Sequence, residues 1–174
     1  MKTGKVLLIT GPAGSGKTTL AQKVGQLPGW KLISEDDFWA AHNRDGLRTE
    51  EQEAFVQKEV VDTITPLLAD GTNVVLEFIL YKQPPNPLTN YLEVLKSKDI
   101  KVDVVALTTN VETIIRRMHT RGREEDLSNI EDRKQFAANQ ISCLQHSSVD
   151  PNWVIDTTGT SASDVFDTVL QRIK

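Results

Sequence analysis

Five short apolar runs rich in β-branched residues punctuate the chain: "KVLLIT" at 5–10, "KLIS" at 31–34, "NVVLEFIL" at 73–80, "KVDVVALT" at 101–108 and "NWVIDT" at 152–157. Between them, apolar positions recur at helical spacing. Near-continuous apolar strands separated by helices must bury both faces, which parallel strands joined by right-handed crossovers do. The pattern predicts an α/β fold in three layers, a five-stranded parallel sheet with helices on both faces. The clearest helix spans 49–68, where Thr49 and Gln52 suit a capping box and Phe55, Val56, Val60, Ile64 and Leu67 are expected on one face. Pro66 is expected to kink or end it. "KQPPNP" at 82–87 reads as a loop, and no internal repeat, low-complexity tract or linker divides the chain. Its 174 residues suit one domain, 1–174.

Composition narrows the function classes. Apolar residues make up 39% and charged residues 25%, ordinary for a globular protein, and the formal net charge is -4. A mildly acidic chain without a basic run gives no electrostatic case for gripping a nucleic-acid backbone. Cys143 stands alone, so neither an intrachain disulfide nor a cysteine metal cluster can be built, and a reducing cytoplasm is the expected compartment. The apolar run after the two N-terminal lysines ends at Gly11, too short for a signal peptide, and no run approaches the length of a membrane span. A soluble, unexported protein is expected, as monomer or homodimer.

Chemistry enters at "GPAGSGKT", Gly11 to Thr18, which satisfies G-x-x-x-x-G-K-[ST] between a strand and a helix. Glycines let backbone N–H groups curl around phosphate oxygens, a lysine brings positive charge to the terminal phosphates, and the following hydroxyl can ligate magnesium. Gly11, Ala13, Gly14, Ser15, Gly16, Lys17, Thr18 and Thr19 are therefore the expected nucleotide site, with ATP and Mg2+ as cofactors. The fold class sharpens to a P-loop NTPase.

Three further stretches supply candidate partners for the phosphate. "ISEDDFW" puts Asp36 and Asp37 at the carboxyl edge of the second strand, where ligands bind in this architecture. Asp36 is the candidate general base for an acceptor hydroxyl, although either aspartate could instead cap the following helix. Glu77 is a carboxylate inside an apolar strand, costly to bury unless paired or near a metal. It could hold magnesium or touch the acceptor if its strand adjoins the P-loop strand, or it could be solvated beyond the strand end. In "IIRRMHTRGREED", Arg117 and Arg121 share a helix face, with Arg123 just past Gly122. These three are expected to form a short Arg-rich lid that clamps the transferring charge, or else a solvated helix end paired with Glu124, Glu125 and Asp126, and Arg116 a solvated face. In "WVIDTTGTSASD", the backbone around Thr158, Gly159 and Thr160 could hold the nucleotide base, or Ser163 or Asp164 could simply cap the last helix.

Together these stretches resemble the small P-loop kinases of the nucleoside- and nucleotide-kinase type, over nearly the whole chain. "LISEDDFW" followed by "VVLEFILY" is similar to the nicotinamide riboside kinase and uridine kinase group, which implies Asp36 as the base; where that group has a glycine after the strand glutamate, Phe78 stands here. "RRMHTRGREED" is similar to the lid of deoxynucleoside kinases. Bacterial small-molecule kinases, gluconate kinase-like and antibiotic phosphotransferase-like, share the framework.

The acceptor pocket is expected from 38–48 and 81–87. Phe38, Trp39 and Tyr81 could stack a ring; His42, Arg44, Asp45, Arg48 and Lys82 could read hydroxyls or a phosphate, or be ordinary loop charges. The sequence thus points to ATP- and Mg-dependent transfer of a γ-phosphoryl group to a hydroxyl of a small metabolite, with nucleosides or ribosides ahead of nucleoside monophosphates, sugar acids or antibiotics. A switch-like ATPase and a polynucleotide end kinase are the competing classes. No N-K-x-D base-reading motif supports a GTPase.

Overall fold

The computed structural model describes residues 3–42, 48–122 and 129–173. Five strands, β1 (Val6–Thr10), β2 (Trp30–Ser34), β3 (Asn73–Glu77), β4 (Val102–Thr108) and β5 (Val154–Asp156), form one parallel sheet in the order β2-β3-β1-β4-β5. The described helices are α1 (Lys17–Gly25), α2 (Glu35–His42), α3 (Glu50–Ala69), α4 (Pro87–Ser97), α5 (Val111–Arg121), α6 (Ile130–Cys143) and α7 (Ala162–Arg172). The three-layer α/β arrangement expected from the strand pattern is the one observed.

Alternation along the strands divides the core between the two faces. Val6, Leu8, Val74, Leu76 and Ala106 pack with α3 and α4 side chains such as Val60, Ile64, Tyr91 and Leu95. Leu7, Ile9, Val75, Val105 and Leu107 pack with Leu20, Val24, Val165 and Val169 of α1 and α7. A strand buried on both sides has no polar position to spare, which is why these runs read as continuous.

The edges of the predicted elements differ. β3 stops at Glu77, opposite Ile9, one residue short of the end of β1, and Ser34, the last residue of β2; the Phe78 N–H still reaches the Ile9 carbonyl at 3.1 Å, and Ile79 and Leu80 lie outside the strand. A 3-10 turn, Pro151–Trp153, takes the start of the last predicted strand. Helix α3 carries the expected Thr49–Gln52 box, yet Pro66 neither ends nor breaks it before Ala69, because so near the C-terminus a missing N–H costs one bond. Phe55 is 51% exposed, contrary to its assignment to the core face. It precedes Val56 by one residue, about 100° around the helix, and meets the edge of His42 instead. The last helix is capped by Ser161, which accepts from the N–H of Asp164, rather than by Ser163 or Asp164.

Candidate active site

The P-loop leaves β1 through backbone that only glycine takes readily. Gly11 has φ 140°, and a Cβ there would stand 2.2 Å from the Leu107 carbonyl oxygen. Gly16 has φ 100°, with nothing within 4 Å of the place a Cβ would take, so the loop's inner side is open to a ligand. Lys17 opens α1 and donates to the Pro12 carbonyl at 2.9 Å. Thr18 and Thr19 follow it, both exposed. Burial pushes the Lys17 ammonium down to about 8, against the upward pull of Glu77 and Asp36 and with a further lowering from Arg121. The lysine thus lies in electrostatic reach of a candidate from each of the other three stretches.

Glu77 is 6% exposed and pairs in register with Ile9 of the P-loop strand and Ser34. The strand-end alternative is therefore not what the structure shows. Its Oε1 accepts from the Ser34 hydroxyl at 3.1 Å, while Oε2 is buried without a hydrogen-bond partner, as is the Ser15 hydroxyl. A buried carboxylate oxygen left unpaired within electrostatic reach of the P-loop lysine is a place where a cation or its water shell could sit. Among the described residues no three His, Cys, Asp or Glu cluster as metal ligands. Thr18, exposed at the start of α1, and Glu77 are the residues that could hold such a cation together with nucleotide phosphates.

Asp36 and Asp37 lie in the first turn of α2, which begins directly at Glu35, and both are exposed. Asp36 faces Arg48, with 3.7 Å between Oδ1 and Nη2. Of the expected ring platform, Trp39 is buried and Phe38 is packed against the core. Tyr81 is half-buried and donates its hydroxyl to Glu53, which also receives Lys82. Burial, and then Glu53, raise the Tyr81 hydroxyl well above its ordinary range. His42 contacts Glu59 at 2.5 Å, outside this cluster.

The arginines part company. Arg117 Nη1 donates to the Gly14 carbonyl and to the Thr157 hydroxyl, each at 3.1 Å, and Nη2 donates to the Thr157 carbonyl at 3.0 Å. Its donors hold the protein's own loops, so it serves as a stitch between the P-loop and the segment after β5. Arg121 stays exposed, with its charge felt at Lys17. Arg116 contacts Thr113 on its own helix. Arg44, Asp45, Arg123, Glu124, Glu125 and Asp126 lie outside the described residues. Thr158 accepts from the Asn110 N–H at 3.2 Å, which ties this turn to the segment after β4, and Gly159 takes φ 69°; both residues are exposed.

A family model described as AAA domain (AAA_33) matches residues 6–142, from the P-loop strand to the end of α6. The chain belongs to this AAA domain family. Among curated proteins it is similar to a gluconokinase of Arabidopsis thaliana, 29% identical over 140 residues, covering 71% of this chain and 70% of that one. It is also similar to a deoxyguanosine kinase of Bacillus subtilis, at 24% identity, covering 94% and 90%. In fold it resembles the Mycobacterium tuberculosis APS kinase CysC, solved with AMPPNP and APS, with a TM-score of 0.71 at 16% identity, covering 98% of each chain. The P-loop kinase-like architecture is thus shared across this range.

Three residues around the candidate site had no role in the sequence reading, which placed Glu35 at the sheet edge and did not name the other two. Gln140 of α6 accepts the Ala13 N–H of the P-loop at 2.9 Å; nothing local marks it. Glu35 is 1% exposed and accepts the Tyr91 hydroxyl at 2.7 Å. Burial raises its carboxyl above the ordinary value, against the pull of Tyr91 and Arg48. Glu53 was detectable: it shares the face of Val56, Gln57 and Val60, where a carboxylate has to find partners.

Proposed function

We propose that the protein is a phosphotransferase that moves the γ-phosphoryl group of ATP to a hydroxyl of a small molecule. The observation that carries this reading is the glycine loop after β1, with Gly11 and Gly16 in left-handed backbone and Lys17 at the head of α1. It is set beside Glu77, buried at the end of the neighbouring strand, with Asp36 and Arg121 near enough for their charges to act on Lys17. The names of the two curated relatives, a gluconokinase and a deoxyguanosine kinase, support the same reaction class.

Each group has work that its position suits. The P-loop amides and Lys17 receive the β- and γ-phosphates. Thr18 and Glu77 would hold a magnesium ion, which when bound would supply positive charge to offset that of the phosphates. The acceptor oxygen bonds to the γ-phosphorus as the bond to the β–γ bridging oxygen breaks; ADP leaves with that oxygen, and the hydroxyl proton passes to Asp36. Arg121, and Arg123 as a further proposal, answer the charge spread over the equatorial oxygens. A ring-stacking pocket for a nucleoside has little support here, since Trp39 is buried and Tyr81 is held by Glu53.

The test is magnesium-dependent ADP release against a panel of nucleosides, nucleoside monophosphates, sugars, sugar acids and 5′-hydroxyl oligonucleotides. One small-molecule class should raise the rate far above background. Asp36→Asn should lower that rate by about 100-fold or more with ATP binding intact, the scale of a lost general base. Fast hydrolysis indifferent to every acceptor would overturn the reading in favour of a switch-like ATPase, and acceleration by oligonucleotides alone would make it an end kinase.

A further inference from the structure

A guanidinium occupies the place where an acceptor ring would have to stack. Arg48 stands just ahead of α3, with its Cζ 4.5 Å from the ring centroid of Trp39 and 5.4 Å from that of Tyr81. Two aromatic residues from different elements thus flank one cation, and its side chain retains 31% exposure. Nη2 lies 3.7 Å from Asp36 Oδ1, close enough for attraction and too long for a hydrogen bond.

Of the other carboxylates around it, Glu53 and Glu35 each already receive a tyrosine hydroxyl, although Glu35 keeps Oε2 buried without a hydrogen-bond partner and within electrostatic reach of Arg48. Glu53 receives Tyr81 and Lys82. Glu35 receives Tyr91, and burial favours its neutral form. Among the described residues, then, Arg48 is a cation fixed by aromatic faces beside the candidate base, with no carboxylate within hydrogen-bond reach. A guanidinium so placed offers a planar fork of N–H donors suited to a carboxylate or phosphate.

We propose that Arg48 is the anchor for an acid group on the acceptor, so that the substrate is a hydroxyl compound that also carries a carboxylate or a phosphate ester. The proposal rests on the phosphotransferase reading and deepens it. With its acid group on Arg48, such a compound brings its hydroxyl to Asp36 next door, and the cation is matched by the substrate instead of by the base. A neutral nucleoside would find the aromatic faces taken and leave the guanidinium unmatched.

The experiment pairs each acidic acceptor with its neutral counterpart: gluconate and glucose for the carboxylate arm, deoxyguanosine 5′-phosphate and deoxyguanosine for the phosphate arm, extended to further hydroxy acids and sugar phosphates. Acidic members should raise ADP release and their neutral counterparts should not, and the arm that responds names the acid group. Arg48→Ala should then lower kcat/KM for the acidic acceptor about 10- to 100-fold, the scale of a charged hydrogen bond. The loss should fall mainly in the acceptor KM with the ATP KM unchanged, and Arg48→Lys should recover part of it. Preference for neutral acceptors, or an Arg48→Ala loss equal for acidic and neutral members, would overturn the proposal while leaving the phosphotransferase standing. A rate that no acceptor raises would overturn both.

Discussion

Burial pushes the Lys17 ammonium down from its ordinary 10.5 to about 8, because it penalises the charge more than Glu77 and Asp36 repay it, and Arg121 lowers it further. Nucleotide phosphates favour the charged form, so binding raises this value. Below about pH 8 the lysine is protonated in both states and contributes no pH dependence to affinity. Above it, binding must take up a proton, and affinity should fall by up to about tenfold per pH unit. Calorimetry of MgATP binding in buffers of different ionisation heat should show proton uptake near about pH 9 and little near about pH 7, and Lys17→Met should remove the uptake. Stability runs the other way. Between about 8 and 10.5 the unfolded chain holds the proton longer, so the empty protein should gain stability as pH rises. At this scale the sequence was informative where a residue violates its own local pattern. Glu77 stood out as a carboxylate in an apolar run, and Lys17 as the end of a glycine loop. Arg48 and Glu35 broke no local pattern; their neighbours Trp39, Tyr81 and Tyr91 are brought to them by chain packing.

Elements were legible where their ends are written locally. Thr49 caps α3 by accepting the Gln52 N–H at 3.2 Å, and its own N–H donates to the Gln52 side chain at 3.0 Å, a contact that needs four consecutive residues and nothing else. Thr49→Ala should cost about 1 kcal/mol, a drop in Tm of about 2–4 °C read by thermal denaturation. Kinetics should hardly change, since Thr49's hydroxyl serves the helix end alone. Where an end depends on neighbours, the sequence misleads. β3 looks longer than it is because Phe78 and Leu80 are apolar and buried, yet past the one bond from the Phe78 N–H to the Ile9 carbonyl the chain leaves the sheet and both side chains join the core that α3 and α4 cover. Arg117 shows the same limit: helical spacing put it on one face with Arg121, but the approach of Thr157 from after β5 decides what its guanidinium holds.

The strand order is what lets the whole molecule hold its P-loop from both sides. With β1 central, the loop that leaves it is reached by α5, α6 and the turn after β5, all remote in sequence. Gln140 takes the N–H of Ala13, Arg117 takes the carbonyl of Gly14, and Thr157's hydroxyl lies 3.2 Å from the carbonyl of Ser15, to which it can donate. Three successive P-loop residues are thus tied to three different elements, which fixes the cradle before a phosphate arrives and spares binding the cost of ordering it. Gln140→Ala removes one neutral hydrogen bond and should raise the ATP KM on the order of 2- to 10-fold. Arg117→Ala removes three charged donations and should cost more, in KM and in Tm. If the P-loop behaves as one clamped body, the double variant should lose less than the two single losses combined, because the first loss already frees the segment the second would free. Strict additivity in ATP binding would show two independent supports instead, and an acceptor KM that moves with the ATP KM would show that the clamp reaches across the sheet edge to the acceptor side.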